Sequence, residues 1–150
     1  MKTIEEIGMG IGFQTKSKNY RKAFYDKYIR TINYHIVIEH YDLIHIFNLS
    51  DKLNWSNISR RWKLSEDFMG EFKDEVDWYY ISAQQKLSES FMREFKDKLS
   101  WSNISKYQVL SEDFMREFKN KVDWDWDYVS MYQKLSETFM REFKDKLNWT

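Results

Sequence analysis

The stretch LSESFMREFKDKLSWSNISKYQV, residues 87–109, is one copy of a unit that fills the last two thirds of the chain. Its motif Leu-Ser-Glu-x-Phe-Met begins at Leu64, Leu87, Leu110 and Leu135, and its motif Trp-x-x-Ile/Val-Ser begins at Trp55, Trp78, Trp101 and Trp126. Tandem recurrence at a period of about 20 to 50 residues is typical of repeat arrays, whose units bury their apolar faces against one another. The sequence therefore predicts a solenoid.

Each unit carries two short amphipathic segments. The first follows the spacing i, i+3, i+4, i+7, which places side chains on one helical face; its members in one unit are Trp78, Ile81, Ser82 and Gln85. The second has an apolar stripe of the same period, made of Phe91, Met92, Phe95 and Leu99. The predicted fold class is all-α, a tandem-repeat solenoid of short antiparallel helix pairs.

Residues that can cap a helix stand before every predicted helix. They are Asn54, Asp77, Ser100, Asp125 and Asn148 before the Trp segments, and Ser65, Ser88, Ser111 and Ser136 before the Phe segments. A glutamate follows each serine that precedes a Phe segment, at Glu66, Glu89, Glu112 and Glu137, where a negative charge suits the helix dipole. Most repeated residues therefore serve structure, and each helix is predicted to span two to three turns.

A glutamine recurs on the inward side of the Trp segment at Gln85, Gln108 and Gln133, where the first unit has Trp62. A buried amide is costly unless it is hydrogen-bonded. We expect these amides to form a ladder of hydrogen bonds to the backbone of the adjacent unit.

The first third of the chain lacks the motif. Residues 31–53 are predicted to form a degenerate repeat, since Thr31 and Asp42 stand one period before the first caps; a small β-strand over residues 32–38 is the alternative, because apolar residues alternate there. Residues 1–30 are predicted to form a loose segment and a capping helix. With the four repeats of 23 to 25 residues in 54–150, they make one domain.

Composition restricts the function. Lys and Arg number 24 and Asp and Glu number 24, so no global field favours nucleic acid or an anionic membrane. The chain has no Cys, which excludes disulfides and thiol chemistry. Its N-terminus has Glu5 and Glu6 where a signal peptide needs apolar residues, and no apolar stretch is long enough to span a bilayer. A cytoplasmic protein is expected, in the host cytosol if the chain is viral.

No catalytic, cofactor or metal site is predicted. His35, His40 and His45 are spaced by five and point at no common ion from either a helix or a strand. The glycines of GMGIGF, residues 8–13, match neither nucleotide-binding fingerprint. No nucleophile with a paired base stands outside the repeat register, so a non-enzymatic protein is expected.

Candidate binding residues lie on the outward side of the Trp segments, where the columns vary from unit to unit. Tyrosine and arginine are favoured at protein interfaces, although neutral drift at unconstrained positions gives the same variability. The predicted partner-binding residues are Arg60, Arg61, Tyr79, Tyr80, Lys106, Tyr107, Asp127, Tyr128, Met131 and Tyr132.

A basic segment interleaved with aromatic residues is the second candidate, because such a pattern can grip nucleic acid by phosphate contacts and stacking. Its cations are Lys16, Lys18, Arg21, Lys22, Lys27 and Arg30. The competing interpretation is the solvated face of a capping helix. A third candidate is the unfinished repeat at Trp149, which either packs as a lid or joins another copy in a homo-oligomer.

Two sequence segments within about Asn54–Trp149 resemble the short tandem helical repeats of phage and large-DNA-virus proteins. They are LSEDFMREFKNKVDW and WSNISKYQVLSEDF. The resemblance implies no shared catalytic residue. It implies a binding protein that blocks host machinery, as anti-CRISPR and other counter-defence proteins do. We therefore expect a protein-binding repeat module, with nucleic-acid binding and self-assembly as alternatives.

Overall fold

The structure, a computed structural model, describes residues 50–149 together with Ile38 and His45. The chain divides into two compact units, Met1–Leu53 and Asn54–Thr150. In the first unit, a 3-10 helix spans Ser50–Lys52, and Ile38 and His45 are each helical. The basic segment 16–30 and the rest of the degenerate repeat lie outside the described residues, as do the other members of the alternating apolar set that ends at Ile38.

Two α-helices form in each of the four repeats of the second unit. Repeat 1 has α1 (Trp55–Arg61) and α2 (Glu66–Glu71), repeat 2 has α3 (Trp78–Gln84) and α4 (Glu89–Glu94), repeat 3 has α5 (Trp101–Tyr107) and α6 (Glu112–Phe118), and repeat 4 has α7 (Trp126–Tyr132) and α8 (Glu137–Glu142). We call α1, α3, α5 and α7 the Trp helices and the other four the Phe helices. The described residues form no β-strand, and the all-α prediction is confirmed.

The Trp helices pack side by side in chain order, α1 on α3, α3 on α5 and α5 on α7. Neighbouring repeats therefore supply one another's main contacts, as a solenoid requires. The repeated apolar residues fill the interior. Those with the least exposure include Ile58, Ile81, Ile104 and Val129 from the Trp helices and Phe68, Met92, Phe114 and Phe139 from the Phe helices.

Aromatic rings join the two helices of one repeat. The Trp78 ring stacks on Phe95 at 5.2 Å between centroids, and Phe95 lies 4.5 Å from Phe91. The Trp78 indole also donates to the Lys73 carbonyl at 2.8 Å. Burying such a ring stabilises the fold by roughly 1.5–3 kcal/mol, so the recurrent Trp and Phe are explained by packing.

Serine caps every Phe helix as predicted, with each hydroxyl accepting from the backbone N–H three residues on. Asn54, Asp77 and Asp125 likewise cap their Trp helices. The prediction for Ser100 is wrong, since its side chain accepts no capping bond. The backbone explains the difference: ψ is 100° at Ser100 and 154° at Ser88. At the lower ψ the longer Asn or Asp side chain reaches the free N–H, and the short hydroxyl does not.

The glutamine ladder is confirmed. Gln85 Nε2 donates to the carbonyl oxygens of Ser59 and Trp62 at 3.1 and 2.7 Å, and its Oε1 accepts from the Leu64 N–H at 2.9 Å. Gln108 and Gln133 make the same three bonds one and two repeats later. One side chain thus satisfies three backbone groups of the preceding repeat.

Two further columns join the repeats, and their roles were not predicted. Ser59 Oγ accepts from the Asp77 N–H at 2.9 Å, and the motif serines of the later Trp helices bond the following repeat in the same way. Glu66 accepts from both the N–H and the hydroxyl of Ser88, at 2.6 and 2.9 Å. The Ser and Glu of the two motifs are therefore connectors between repeats.

The junction of repeats 3 and 4 holds an extra Asp-Trp pair, Asp123 and Trp124. Trp124 is buried at the position before the cap, where the preceding junctions have Val76 and Leu99. Its indole donates to the Phe118 carbonyl at 3.1 Å and lies edge-on to Trp101 at 5.0 Å. Trp124 of the insertion therefore packs in the core, and Asp125 caps α7 as an Asp or Asn caps α1 and α3.

Replacing Gln85 with Leu should destabilise the fold by about 2–4 kcal/mol, because three backbone groups lose a partner at a site that excludes water. The adjacent Gln84 is exposed, so Gln84→Leu is a matched control in the same helix and should change stability little. Urea unfolding followed by circular dichroism measures both. Equal stability of the two variants would contradict the role assigned to the ladder.

Stability should depend on pH through Glu112. The backbone N–H of Ser136, its hydroxyl and, to a smaller extent, Arg116 hold the pKa of Glu112 below the ordinary glutamate value. Since the folded pKa is the lower one, the carboxylate stabilises the fold above the ordinary range, and this contribution is lost as pH falls through the folded pKa.

Glu112→Gln should therefore melt below the wild type at neutral pH, with the gap closing from about pH 5 downwards. Glu94→Gln is the control, because Glu94 is exposed and bonds no described side chain. Thermal melts across the pH series test this; a gap that stays constant with pH would contradict it.

Candidate functional site

The predicted partner-binding residues lie together on the outward face of the Trp helices. Met131 is 67% exposed, Tyr79 61%, Tyr107 52% and Tyr132 51%, and Arg60, Arg61 and Asp127 are also exposed. Tyr80, Lys106 and Tyr128 are half-buried. Their lower exposure follows from contacts across repeats, which give the face two local clusters.

The larger cluster surrounds Lys106. Its Nζ lies 4.9 Å from the ring centroid of Tyr128, 5.1 Å from Tyr107 and 5.7 Å from Tyr132. Tyr128 and Tyr132 meet edge-on at 5.8 Å. An ammonium within about 6 Å of several ring faces is attracted to each of them, so one cation is held among three aromatic rings from two repeats.

The pKa of Lys106 is raised above the ordinary lysine value. The side-chain hydrogen bond with Tyr107 is the main cause, desolvation opposes it, and the charge interactions with Tyr107, Tyr128 and Tyr132 add to it. A lysine is cationic at neutral pH in any case, so the cluster carries a positive charge there, and the raised pKa keeps Lys106 charged at higher pH as well.

The smaller cluster lies two repeats earlier and also consists of a cation over a tyrosine ring. Arg60 lies 5.9 Å over the ring of Tyr80, and Tyr80 meets Tyr79 edge-on at 5.5 Å. Arg60 and Lys106 occupy the same position of their Trp helices, and so do Tyr80 and Tyr128. In both clusters, a cation of one repeat covers a tyrosine of the next.

The intervening junction of repeats 2 and 3 is built differently. Ala83 stands at the cation position and Asn103 at the tyrosine position, and Asn103 Nδ2 donates to the Tyr79 carbonyl at 3.2 Å. The cation column and the tyrosine column thus alternate with a period of two repeats. Comparing each column one repeat at a time missed this alternation, although WSNIS at both 55–59 and 101–105 signals it.

Charge is segregated between the two kinds of helix. The Trp helices and the three residues after each of them hold six cations, Arg60, Arg61, Lys63, Lys86, Lys106 and Lys134, and one anion, Asp127. The Phe helices and the three residues after each of them hold eight cations, Lys73, Arg93, Lys96, Arg116, Lys119, Lys121, Arg141 and Lys144, and thirteen anions, Glu66, Asp67, Glu71, Asp74, Glu89, Glu94, Asp97, Glu112, Asp113, Glu117, Glu137, Glu142 and Asp145. A neutral chain therefore presents one basic and one acidic set of helices.

Pairing differs between the arginines of the two sets. Each arginine of the Phe helices pairs with a carboxylate, as Arg93 does with Glu117 at 2.9 Å and Arg116 with Glu142 at 2.7 Å. None of the six cations of the Trp set pairs with a carboxylate of the described residues. Lys63, Lys86 and Lys134 of that set are exposed and were not among the predicted binding residues; counting charge helix by helix would have found them.

Nothing in the described part of the chain is arranged for metal binding: no three His, Cys, Asp or Glu converge there, and His45 is the one described histidine. A surface groove is lined by Asp123, Trp124, Asp125, Trp126, Asp127 and Ser102. Two of its carboxylates serve the fold, since Asp125 caps α7 and Asp127 accepts from Asn148 Nδ2 at 3.0 Å.

Trp149 keeps the position of a repeat tryptophan. Its indole donates to the Lys144 carbonyl at 2.9 Å, as Trp101 does to Lys96, and the ring is 62% exposed. The nucleic-acid candidates at 16–30 lie outside the described residues and stay a prediction.

No family model, no curated protein and no solved structure matches this chain. Among the helices of the described residues, none has the length and apolar character needed to cross a membrane.

Ring currents should report the Lys106 cluster. We expect the ε-methylene protons of Lys106 to resonate upfield of those of Lys63, Lys86 and Lys134, which lie over no ring of the described residues. Tyr128→Leu should shift them part of the way back. Proton–carbon NMR spectra measure this, and a Lys106 signal coincident with those of the other three lysines would contradict the geometry.

Proposed function

We propose that this protein is a non-enzymatic helical repeat module that binds a protein partner through the outward face of its Trp helices. One observation carries the proposal: Arg60 and Lys106 on this face pair with no described carboxylate and lie within about 6 Å of tyrosine ring centroids. On the Phe helices, by contrast, every arginine is paired.

The side chains of this face suit a protein interface. Tyrosine, methionine and arginine are enriched at interfaces because they combine contact area with polar groups. Tyr79, Tyr107, Met131 and Tyr132 are each more than half exposed. Four large side chains of this kind on one layer of helices make a surface that a partner can desolvate.

Rigidity supports the same function. The Gln, Ser and Glu columns bond each repeat to the next, so the outward side chains stand on a fixed backbone. A preorganised surface loses less conformational entropy on binding. Binding through such a face can act by occlusion, which needs a broad rigid surface and no reacting group.

The finer proposal is that the occluded partner is host machinery, such as a CRISPR effector, and that the protein is a phage or viral inhibitor. It is supported by the likeness of LSEDFMREFKNKVDW to phage and large-DNA-virus repeats. Nucleic-acid binding through residues 16–30 is the second candidate, supported by the basic and aromatic pattern of that segment. Self-assembly at Trp149 is the third, supported by its exposed indole.

A variant with four tyrosines changed to Ser, at Tyr79, Tyr80, Tyr128 and Tyr132, should recover at least about tenfold less partner in a pull-down than the wild type. The reason is that each aromatic anchor contributes on the order of 1 kcal/mol or more to binding. Asp67, Glu94 and Thr138 are exposed on the Phe helices, and a control with all three changed to Ser should recover partners as the wild type does. Mass spectrometry quantifies recovery, and thermal melts verify folding. Recovery of the same partners by the tyrosine variant would refute the proposed face.

A further inference from the structure

We infer that the outward face binds an elongated acidic peptide segment at two equivalent anchors, Arg60 with Tyr80 and Lys106 with Tyr128. This inference rests on the proposed function and deepens it by naming the chemistry and the register of the partner.

The equivalence of the two anchors extends to the bonds around them. At the first anchor, Ser56 Oγ donates to the Asp77 carboxylate at 3.0 Å, and at the second Ser102 Oγ donates to Asp125 at 3.3 Å. These serines belong to the two WSNIS copies, and both aspartates cap the next Trp helix. The cation, the tyrosine, the serine and the capping aspartate are thus arranged in the same way at both anchors.

The spacing of the anchors defines the reach of the partner. They are two repeats apart, and packed helices lie about 8–10 Å from each other, so the anchors are roughly 16–20 Å apart. An extended chain rises about 3.3 Å per residue. Two acidic groups separated by about five or six residues of an extended segment would reach both anchors together.

A carboxylate is the ligand group that the charges favour. Each anchor is a cation that no described carboxylate neutralises, and each has tyrosine rings alongside to contact apolar parts of a segment. Arginine binds carboxylates with two parallel hydrogen bonds. Lys106, held among three rings, gives up little freedom when it binds.

Nucleic acid suits this face less well. Proteins that bind single strands use a positively charged groove that follows the phosphate backbone. Here the cation column is interrupted by Ala83 and replaced by Met131, and Asp127 adds a negative charge. Two separated cationic points fit two acidic clusters of a peptide better than a continuous phosphate chain.

The repeats themselves provide the test variants. Arg60→Ala and Lys106→Ala each install the residue that repeat 2 has at the same position, Ala83. Lys86→Val installs the residue of repeat 3, Val109, and removes an exposed cation outside both anchors. Each change is compatible with the fold, because another repeat already carries it.

The probes are two fluorescein-labelled peptides of equal length and a thymidine oligonucleotide. One peptide has two Asp-Glu pairs separated by four Gly or Ser residues, and the other has a single Asp-Glu pair. Fluorescence anisotropy at low ionic strength measures binding, since exposed charge pairs are screened by salt. We expect the two-pair peptide to bind at least about tenfold tighter than the one-pair peptide, because the second contact is intramolecular.

Arg60→Ala and Lys106→Ala should each abolish that advantage, and Lys86→Val should keep it. Equal binding of the two peptides, or an advantage that survives both alanine variants, would overturn the two-anchor inference. Oligonucleotide binding that is tighter than that of the two-pair peptide and lost in the same variants would overturn the acidic-peptide assignment. If either outcome is found while partner recovery in the pull-down still depends on the tyrosines, the proposed binding face is retained and only the two-anchor inference is refuted.

Discussion

The fold depends on hydrogen bonds that one repeat supplies to the backbone of the next. A helix leaves its first four N–H and last four C=O groups without partners inside the helix. Since every described α-helix has only six or seven residues, almost all of its backbone groups are of this kind. The amide of Gln85 bonds two such carbonyl groups at the end of α1 and the N–H of Leu64 in the loop after it. The hydroxyl of Ser59 and the carboxylate of Glu66 accept from N–H groups at helix starts in repeat 2. Helices this short are stable here because a neighbouring repeat supplies hydrogen-bond partners for their ends.

This dependence separates two kinds of position. Inward positions are constrained by packing and by the three connecting columns, so their residues hardly change from repeat to repeat. Outward positions are less constrained and vary along the array, although Ser56, Ser102 and Asn103 also bond the neighbouring repeat. Two of these columns return to the same chemistry after two repeats, with a cation over a tyrosine of the next repeat at Arg60 and Tyr80 and again at Lys106 and Tyr128.

The sequence was sufficient for the all-α fold and the glutamine ladder, because period, capping chemistry and the cost of a buried amide are local arguments. It was insufficient where geometry decides. Ser100 has the right residue type for a cap but the wrong backbone angle for its reach. Glu66 was explained by its favourable position at a helix N-terminus, and its hydrogen bond to Ser88 of the next repeat was not predicted. Lys106 and Tyr128 are 22 positions apart in the chain, and only the packing of α5 on α7 shows that they touch.

The extra Asp123 and Trp124 show which property of the array sets the outward face. With two more residues at the third junction, a face governed by separation along the chain would be displaced there. Instead Trp124 enters the core where Leu99 lies one repeat earlier, Asp125 caps α7, and Lys106 meets Tyr128 as Arg60 meets Tyr80. The register of one Trp helix on the next is what has been retained. The Gln133 amide and the Ser105 hydroxyl bond across the same junction, so these scaffold bonds hold the register that brings Lys106 to Tyr128 in spite of the two added residues.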